Sequence, residues 1–122
     1  MSGNAATFAS VVGGFPSRTY RAGTTIFRTG DPGLEVYIVK SGEVELQADG
    51  RLLETVAEDG IFGEMALIDG SPRSAVAIAA VDTELAVITE RQFLELISST
   101  PFFALNIMRI MARRLRRATA GA

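Results

Sequence analysis

The run Ile61 to Ala77 reads I-F-G-E-M-A-L-I-D-G-S-P-R-S-A-V-A and gathers backbone amides, one acid and one guanidinium in a single short stretch. Gly60 and Gly63 allow tight turns and close approach of a ligand. Glu64 to Ile68 is long enough for about one helical turn, whose unpaired N–H groups and dipole favour an anion near Gly63. Arg73 adds a planar, permanently charged fork suited to phosphate oxygens. Glu64 only accepts hydrogen bonds, so it suits a neighbouring sugar hydroxyl and not the phosphate. Gly70 and Pro72 shape the turn that brings acid and guanidinium together. The pattern fits a ligand that carries an anion and a hydroxyl side by side. A plain salt bridge between Glu64 and Arg73 across the loop is the alternative reading.

The flanking sequence must supply a rigid frame for this segment. From Tyr20 to Thr89 the chain reads as β-structure. Thr24 to Arg28 is a β-prone run closed by Thr29-Gly30-Asp31-Pro32-Gly33, a dense turn signal. Val36 to Lys40 is apolar and β-branched. Glu43 to Gln47 alternates strictly, which predicts a half-buried strand with Val44 and Leu46 inward. Asp49-Gly50 predicts a hairpin into Leu52–Val56. Glu58-Asp59-Gly60 makes another corner, and Ala75 to Val81 and Glu84 to Ile88 are further strands. Turn signals every 8–12 residues or so suit a sandwich or a jelly-roll barrel, without deciding between them.

After Thr89 the period changes. Thr89 and Gln92 have capping-box spacing, and Phe93, Leu94, Leu96 and Ile97 form the apolar face of a helix. Thr100-Pro101 ends it and starts a second helix running to about Ala118. On that helix Ala104, Met108, Met111, Leu115 and Ala118 share one stripe. Arg109, Arg113 and Arg116 line another.

Composition narrows the chemistry. The 122 residues predict one domain. There is no Cys and no His, which argues against thiolate or triad catalysis and against zinc or haem ligation, and no metal or cofactor is expected. The cassette offers no nucleophile for phosphodiester cleavage, so binding is expected and not catalysis. Residues 1–100 carry 7 basic and 14 acidic side chains, a balance of −7, whereas residues 101–122 carry 5 arginines and no acid, +5. The acidic body argues against direct nucleic-acid binding. The longest clean apolar run, Ala75 to Val81, is far below the ~20 residues a membrane helix needs. No membrane association is expected, and the absence of a basic leader makes a cytoplasmic protein the default.

Phe62-Gly63-Glu64-Met65-Ala66-Leu67 followed by Ser71-Pro72-Arg73-Ser74-Ala75 resembles the phosphate-binding cassette of cyclic-nucleotide-binding domains of the catabolite-activator and protein-kinase-regulatory-subunit type. The likeness extends to Gly30-Asp31 with Gly33, to Tyr37-Ile38-Val39, to Ser41-Gly42-Glu43-Val44, and to Met111-Ala112-Arg113-Arg114-Leu115 in the long C-terminal helix. It implies a mainly β fold: an antiparallel jelly roll (double-stranded β-helix) with a short cassette helix and two C-terminal helices. The single domain would span 1–122: an arm or helix over 1–17, the roll over 18–89 with the cassette at 61–77, and helices over 90–122. The resemblance implies that Glu64 binds the ribose 2′-hydroxyl and Arg73 the cyclic phosphate. Gly63, Met65, Ala66, Ser74 and Ala75 would complete the ligand site, and Arg116, Arg117 or Thr119 could reach the base. The bacterial character of the likeness favours cAMP over cGMP.

Arg109, Arg113, Arg114, Arg116 and Arg117 read best as a solvated polar face, with their cations favouring the helix C-terminus; docking on the acidic body or a partner is the second reading. The Met-rich stripe is either core or a seam for a homodimer or protein partner. Two other functions compete with a cyclic-nucleotide sensor that moves its C-terminal helix. One is a ligand-independent interaction module. The other is the sensor part of a larger DNA-binding regulator.

Overall fold

Val36 to Val39 and Leu85 to Ile88 are each four consecutive apolar residues, and the fold buries both faces of both runs. In an extended strand alternate side chains point to opposite sides. Tyr37, Val39, Leu85 and Val87 enter one core cluster with Val44, Val56, Phe62 and Ala77. Val36, Ile38, Ala86 and Ile88 enter another, shared with Phe93, Phe103, Ile107 and Ile110 of the helices. These two strands therefore form a wall with the roll's interior on one side and the helices on the other.

The computed structural model describes residues 12 to 120, with side chains as far as 117. The strands are β1 (Ser17–Tyr20), β2 (Thr25–Phe27), β3 (Glu35–Ser41), β4 (Val44–Ala48), β5 (Arg51–Val56), β6 (Ile61–Phe62), β7 (Val76–Ala79) and β8 (Thr83–Thr89). The helices are α1 (Glu64–Asp69), α2 (Glu90–Ser99) and α3 (Pro101–Ala120). One four-stranded sheet has the order β1-β8-β3-β6, the other β2-β7-β4-β5. All pairings are antiparallel. This is the two-sheet jelly-roll arrangement with flanking helices. The expected arm over 1–17 falls largely on residues outside those described; a short 3-10 turn occupies Val12–Gly14.

Local chemistry sets the corners. Asp49 and Gly50 both take positive φ, 54° and 73°, as a two-residue I′ hairpin between β4 and β5 requires. At the start of α2 the Thr89 hydroxyl accepts from the Gln92 N–H, and the Gln92 side chain accepts from the Thr89 N–H, completing the capping box. The chain then bends by 111° between α2 and α3. Among the described residues no single helix is long and apolar enough to cross a membrane.

Three expectations need correction. The buried stripe of α3 is Phe103, Ile107 and Ile110, while Met108 and Leu115 are 60% and 69% exposed. Ala104 and Met111 are only partly buried. The reason is that α3 is apolar around much of its girth, and its tilt against α2 and the sheet selects which stripe is covered. On α2, Leu94 is likewise exposed, whereas Phe93 packs edge-on against Phe103 with ring centroids 5.8 Å apart. Finally, β1 and β6 lie outside the expected strands, because Ser17–Tyr20 lacks apolar alternation and β6 is two residues long.

Gly33 fixes the seat of α1. A Cβ built there would lie 2.1 Å from the Ala66 Cβ, well inside any allowed contact. Gly33→Ala is therefore expected to lower stability by about 1–3 kcal/mol, the usual cost of overpacking. Urea denaturation of the variant against the parent chain measures this, and an unchanged midpoint would show that the loop and α1 are not held in contact.

Candidate functional site

Arg73 is held by its backbone before its side chain does anything. Its N–H donates to the Asp31 carbonyl and its carbonyl accepts from Gly30, both at 2.8 Å. The Gly30-Asp31 turn is thus the clasp for the Arg73 loop. The side chain is 5% exposed. Nη1 donates to the Gly63 carbonyl and Nη2 to the Glu35 carbonyl, each at 2.7 Å. The guanidinium carbon lies 4.1 Å from the Phe27 ring centroid and 5.8 Å from that of Tyr37. Nε is buried without a hydrogen-bond partner.

This buried cation has carbonyls and ring faces for neighbours. Burial pushes its pKa down, opposed by Tyr37 and by Glu35. The guanidinium nonetheless stays charged at any ordinary pH. The nearby Glu35 carboxylate is turned away to Arg18, which reaches it through both Nη atoms at 3.1 and 3.2 Å, and to the Tyr37 hydroxyl at 2.8 Å. Burial works to raise the Glu35 pKa, but Arg18 and Tyr37 outweigh it and hold the carboxyl below its usual range. The result is a desolvated positive charge with an unpaired donor, the electrostatic condition for taking up an anion.

Gly63 sits between the two key side chains. It has φ 87°, and a Cβ there would come within 3.0 Å of Arg73 Nη1. A side chain at this position would be strained and would press on the guanidinium. The next residue, Glu64, opens α1 and is 1% exposed. Its two carboxylate oxygens both accept from Arg114 Nη1, at 2.7 and 2.6 Å. The Glu64–Arg73 salt bridge considered from sequence does not form; each group has other partners.

Arg114 departs from the solvated face and docks on acids of the body. Grouped with the solvated arginines, it is only 15% exposed at its side chain. Nε donates to Glu54 Oε1 at 2.9 Å, and Nη2 donates to Glu54 Oε2 at 3.2 Å and to the Ile61 carbonyl at 3.0 Å. With the Glu64 contacts, all three guanidinium nitrogens donate to acceptors. Burial lowers its pKa, but Glu64 and Glu54 more than offset this and raise it. The signal was present in the spacing: Phe103, Ile107, Ile110 and Arg114 follow a 4-3-4 pattern on one helix face. The other arginines keep to the expected polar face, Arg109, Arg113 and Arg116 being exposed.

The remaining expected site residues divide. Ala66 is buried beneath Gly33, Met65 is 42% exposed, Ser74 is exposed and Ala75 half-buried. Arg116 is exposed. Arg117 stands 3.5 Å from both Glu54 and the Leu53 carbonyl. The Thr119 side chain lies outside those described. A cavity of about 320 Å³ opens between β5 and α3, lined among others by Glu54, Thr55, Ile110, Arg113, Arg114 and Arg117. Neither Arg73 nor Glu64 lines it, but Arg114 joins it to Glu64. Among the described residues no cluster of three or more acids could hold a metal ion.

The class that fold and site define is a two-sheet jelly roll with an anion-competent corner next to a buried acid. The family model described as cyclic nucleotide-binding domain matches residues 17–100, and the chain belongs to that family. It is 40% identical over 109 residues to the cyclic AMP receptor protein of Thermus thermophilus, covering 85% of this chain and 50% of that protein. It is 36% identical over 117 residues to a cyclic nucleotide-gated potassium channel of Mesorhizobium japonicum, covering 96% of this chain and 32% of the channel. The crystal structure of the Thermus thermophilus catabolite activator protein matches it with a TM-score of 0.82 at 37% identity, over 94% of this chain and 57% of that one. The chain thus spans half or less of the length of these curated relatives.

Removing Arg114 strips a buried carboxylate of its counter-charge, a change that costs about 3–5 kcal/mol in comparable pairs. Arg114→Ala is expected to lose stability in that range, and Arg114→Gln somewhat less. Chemical denaturation checks it; a loss below about 1 kcal/mol would mean that water replaces the guanidinium at Glu64.

Proposed function

We propose that this chain is a cyclic-nucleotide receptor module, binding cAMP in preference to cGMP without catalysis. Arg73 pairs with the cyclic phosphate, Glu64 accepts from the ribose 2′-hydroxyl, and Gly63, Met65, Ala66, Ser74 and Ala75 surround the anion. The observation that carries the reading is the buried Arg73 guanidinium, with neutral partners and an idle Nε, one glycine away from a buried acid. Glu64 retains acceptor capacity, because a carboxylate offers about four lone-pair sites and Arg114 occupies two. The preference for cAMP is supported by the name and 40% identity of the Thermus thermophilus relative. Base contacts belong on the α3 side, where Arg117 lines the cavity.

Titration calorimetry with cAMP and cGMP tests this directly. Arg73→Ala is expected to weaken binding by about 1.5–3.5 decades, the equivalent of truncating one partner of a buried charge pair at about 2–5 kcal/mol. Equal affinity in parent and variant would remove Arg73 from the site.

The output is a shift in the position of α3, since Arg114 ties that helix to the residue that meets the ribose. A ligand moves such an equilibrium only by its difference in affinity for the two positions. Amide exchange along 110–117 is expected to change when cAMP is added. An identical exchange pattern with and without ligand counts against the shift.

A second reading concerns partners. Leu105, Met108, Ala112 and Leu115 are exposed on α3 at 3-4-3 spacing, the seam pattern of paired helices. We propose self-association through this face. Sedimentation is expected to show a dimer that Met108→Glu converts to monomer; a monomeric parent chain would refute the seam.

A further inference from the structure

Glu54 lies on β5, an edge strand of its sheet, and matches none of the residues that the cassette pattern singles out. It nevertheless grips Arg114 at two points. Two of its oxygens take two nitrogens of that guanidinium, at 2.9 and 3.2 Å. A planar fork gripped at two points on one edge has its remaining nitrogen fixed in direction. That nitrogen is Nη1, and it points at both oxygens of Glu64. Glu64 is the first residue of a six-residue helix, directly after Gly63 in a left-handed conformation, and is itself buried. The side-chain hydrogen bonds that orient its carboxylate come from Arg114. Arg117, 3.5 Å from Glu54 Oε1, adds a second cation that holds Glu54 itself toward α3.

We infer that Glu54 is a positioning residue for ribose recognition: it aims Arg114, and Arg114 aims the Glu64 carboxylate at the sugar hydroxyl. The inference rests on the cyclic-nucleotide reading given above. It differs from a simple tie between β5 and α3 in what it predicts. A tie would affect all ligands alike. A positioning role affects only the part of the affinity that comes from the 2′-hydroxyl.

The test is a cycle between a side chain and a ligand group. Affinities of the parent chain and of Glu54→Gln, which keeps the shape of the side chain, are measured for cAMP and for 2′-deoxy-cAMP. In the parent, loss of the hydroxyl is expected to weaken binding about 10-fold or more, as befits a hydrogen bond to a charged acceptor. In Glu54→Gln that penalty is expected to shrink to about 3-fold or less. The Arg114 Nε–H resonance in an NMR spectrum should shift in the same variant, which confirms that the guanidinium has lost its anchor in a folded chain. An undiminished 2′-hydroxyl penalty in Glu54→Gln, or an equal loss for both ligands, overturns the positioning role and leaves the receptor reading intact. No binding of cAMP by the parent chain overturns the receptor reading, and this inference with it.

Discussion

The guanidinium of Arg114 joins a sheet edge, the cassette helix and α3 at one point. On one side it closes on Glu54 at the edge of a sheet; on the other it closes on Glu64 at the start of the cassette helix; and its stem rises from α3. A buried acid such as Glu64 is tolerable only with a counter-charge in contact. That requirement brings α3 down onto the roll at one particular height. The apolar stripe Phe103, Ile107 and Ile110 supplies most of the buried surface, but hydrophobic contact is non-directional. The ion pair is directional, and it selects which rotation of the helix about its own axis is compatible with a satisfied carboxylate.

The other buried arginine is its opposite in chemistry. Arg114 meets two carboxylates and has every nitrogen hydrogen-bonded, whereas Arg73 meets carbonyls and aromatic faces and has one nitrogen idle. One is saturated with negative charge and the other is short of it. The Phe27 and Tyr37 rings that face Arg73, stacked with Phe62 at centroid distances of 5.1 to 6.1 Å, offer its idle nitrogen no strong acceptor. The low local dielectric that makes this costly for the isolated domain also strengthens whatever anion arrives.

How much of this could be read from the chain follows the range of each interaction. The hairpin at Asp49-Gly50 and the capping box at Thr89 were legible because the groups that meet are within four residues. The double-sided strands were legible as runs such as Val36 to Val39, although not which face met the helices. Arg73 and Glu64 stood out by type and by their glycine setting. Arg114 did not, because its partners are 50 and 60 residues away and a row of five arginines reads as a solvated face. Only the placement of Arg114 in register with Phe103, Ile107 and Ile110 separates it from its neighbours, and the sequence reading chose a different stripe around Met108. Leu94 failed in the same manner: its period was helical, but the sheet covers only the sector that includes Phe93.

The bend of 111° between α2 and α3 gives the molecule a mechanical property of its own. Arg114 stands thirteen residues beyond Pro101, about 20 Å along the helix axis at 1.5 Å per residue. A rotation of about 5° at that elbow would carry the guanidinium through about 2 Å, enough to part a hydrogen bond of 2.6 Å. At the far end of the helix the same rotation sweeps half as far again. A pivot at that joint would therefore have its short throw at the carboxylates and its long throw at the tip, so that a displacement too small to disturb the roll would become a larger one where α3 leaves it.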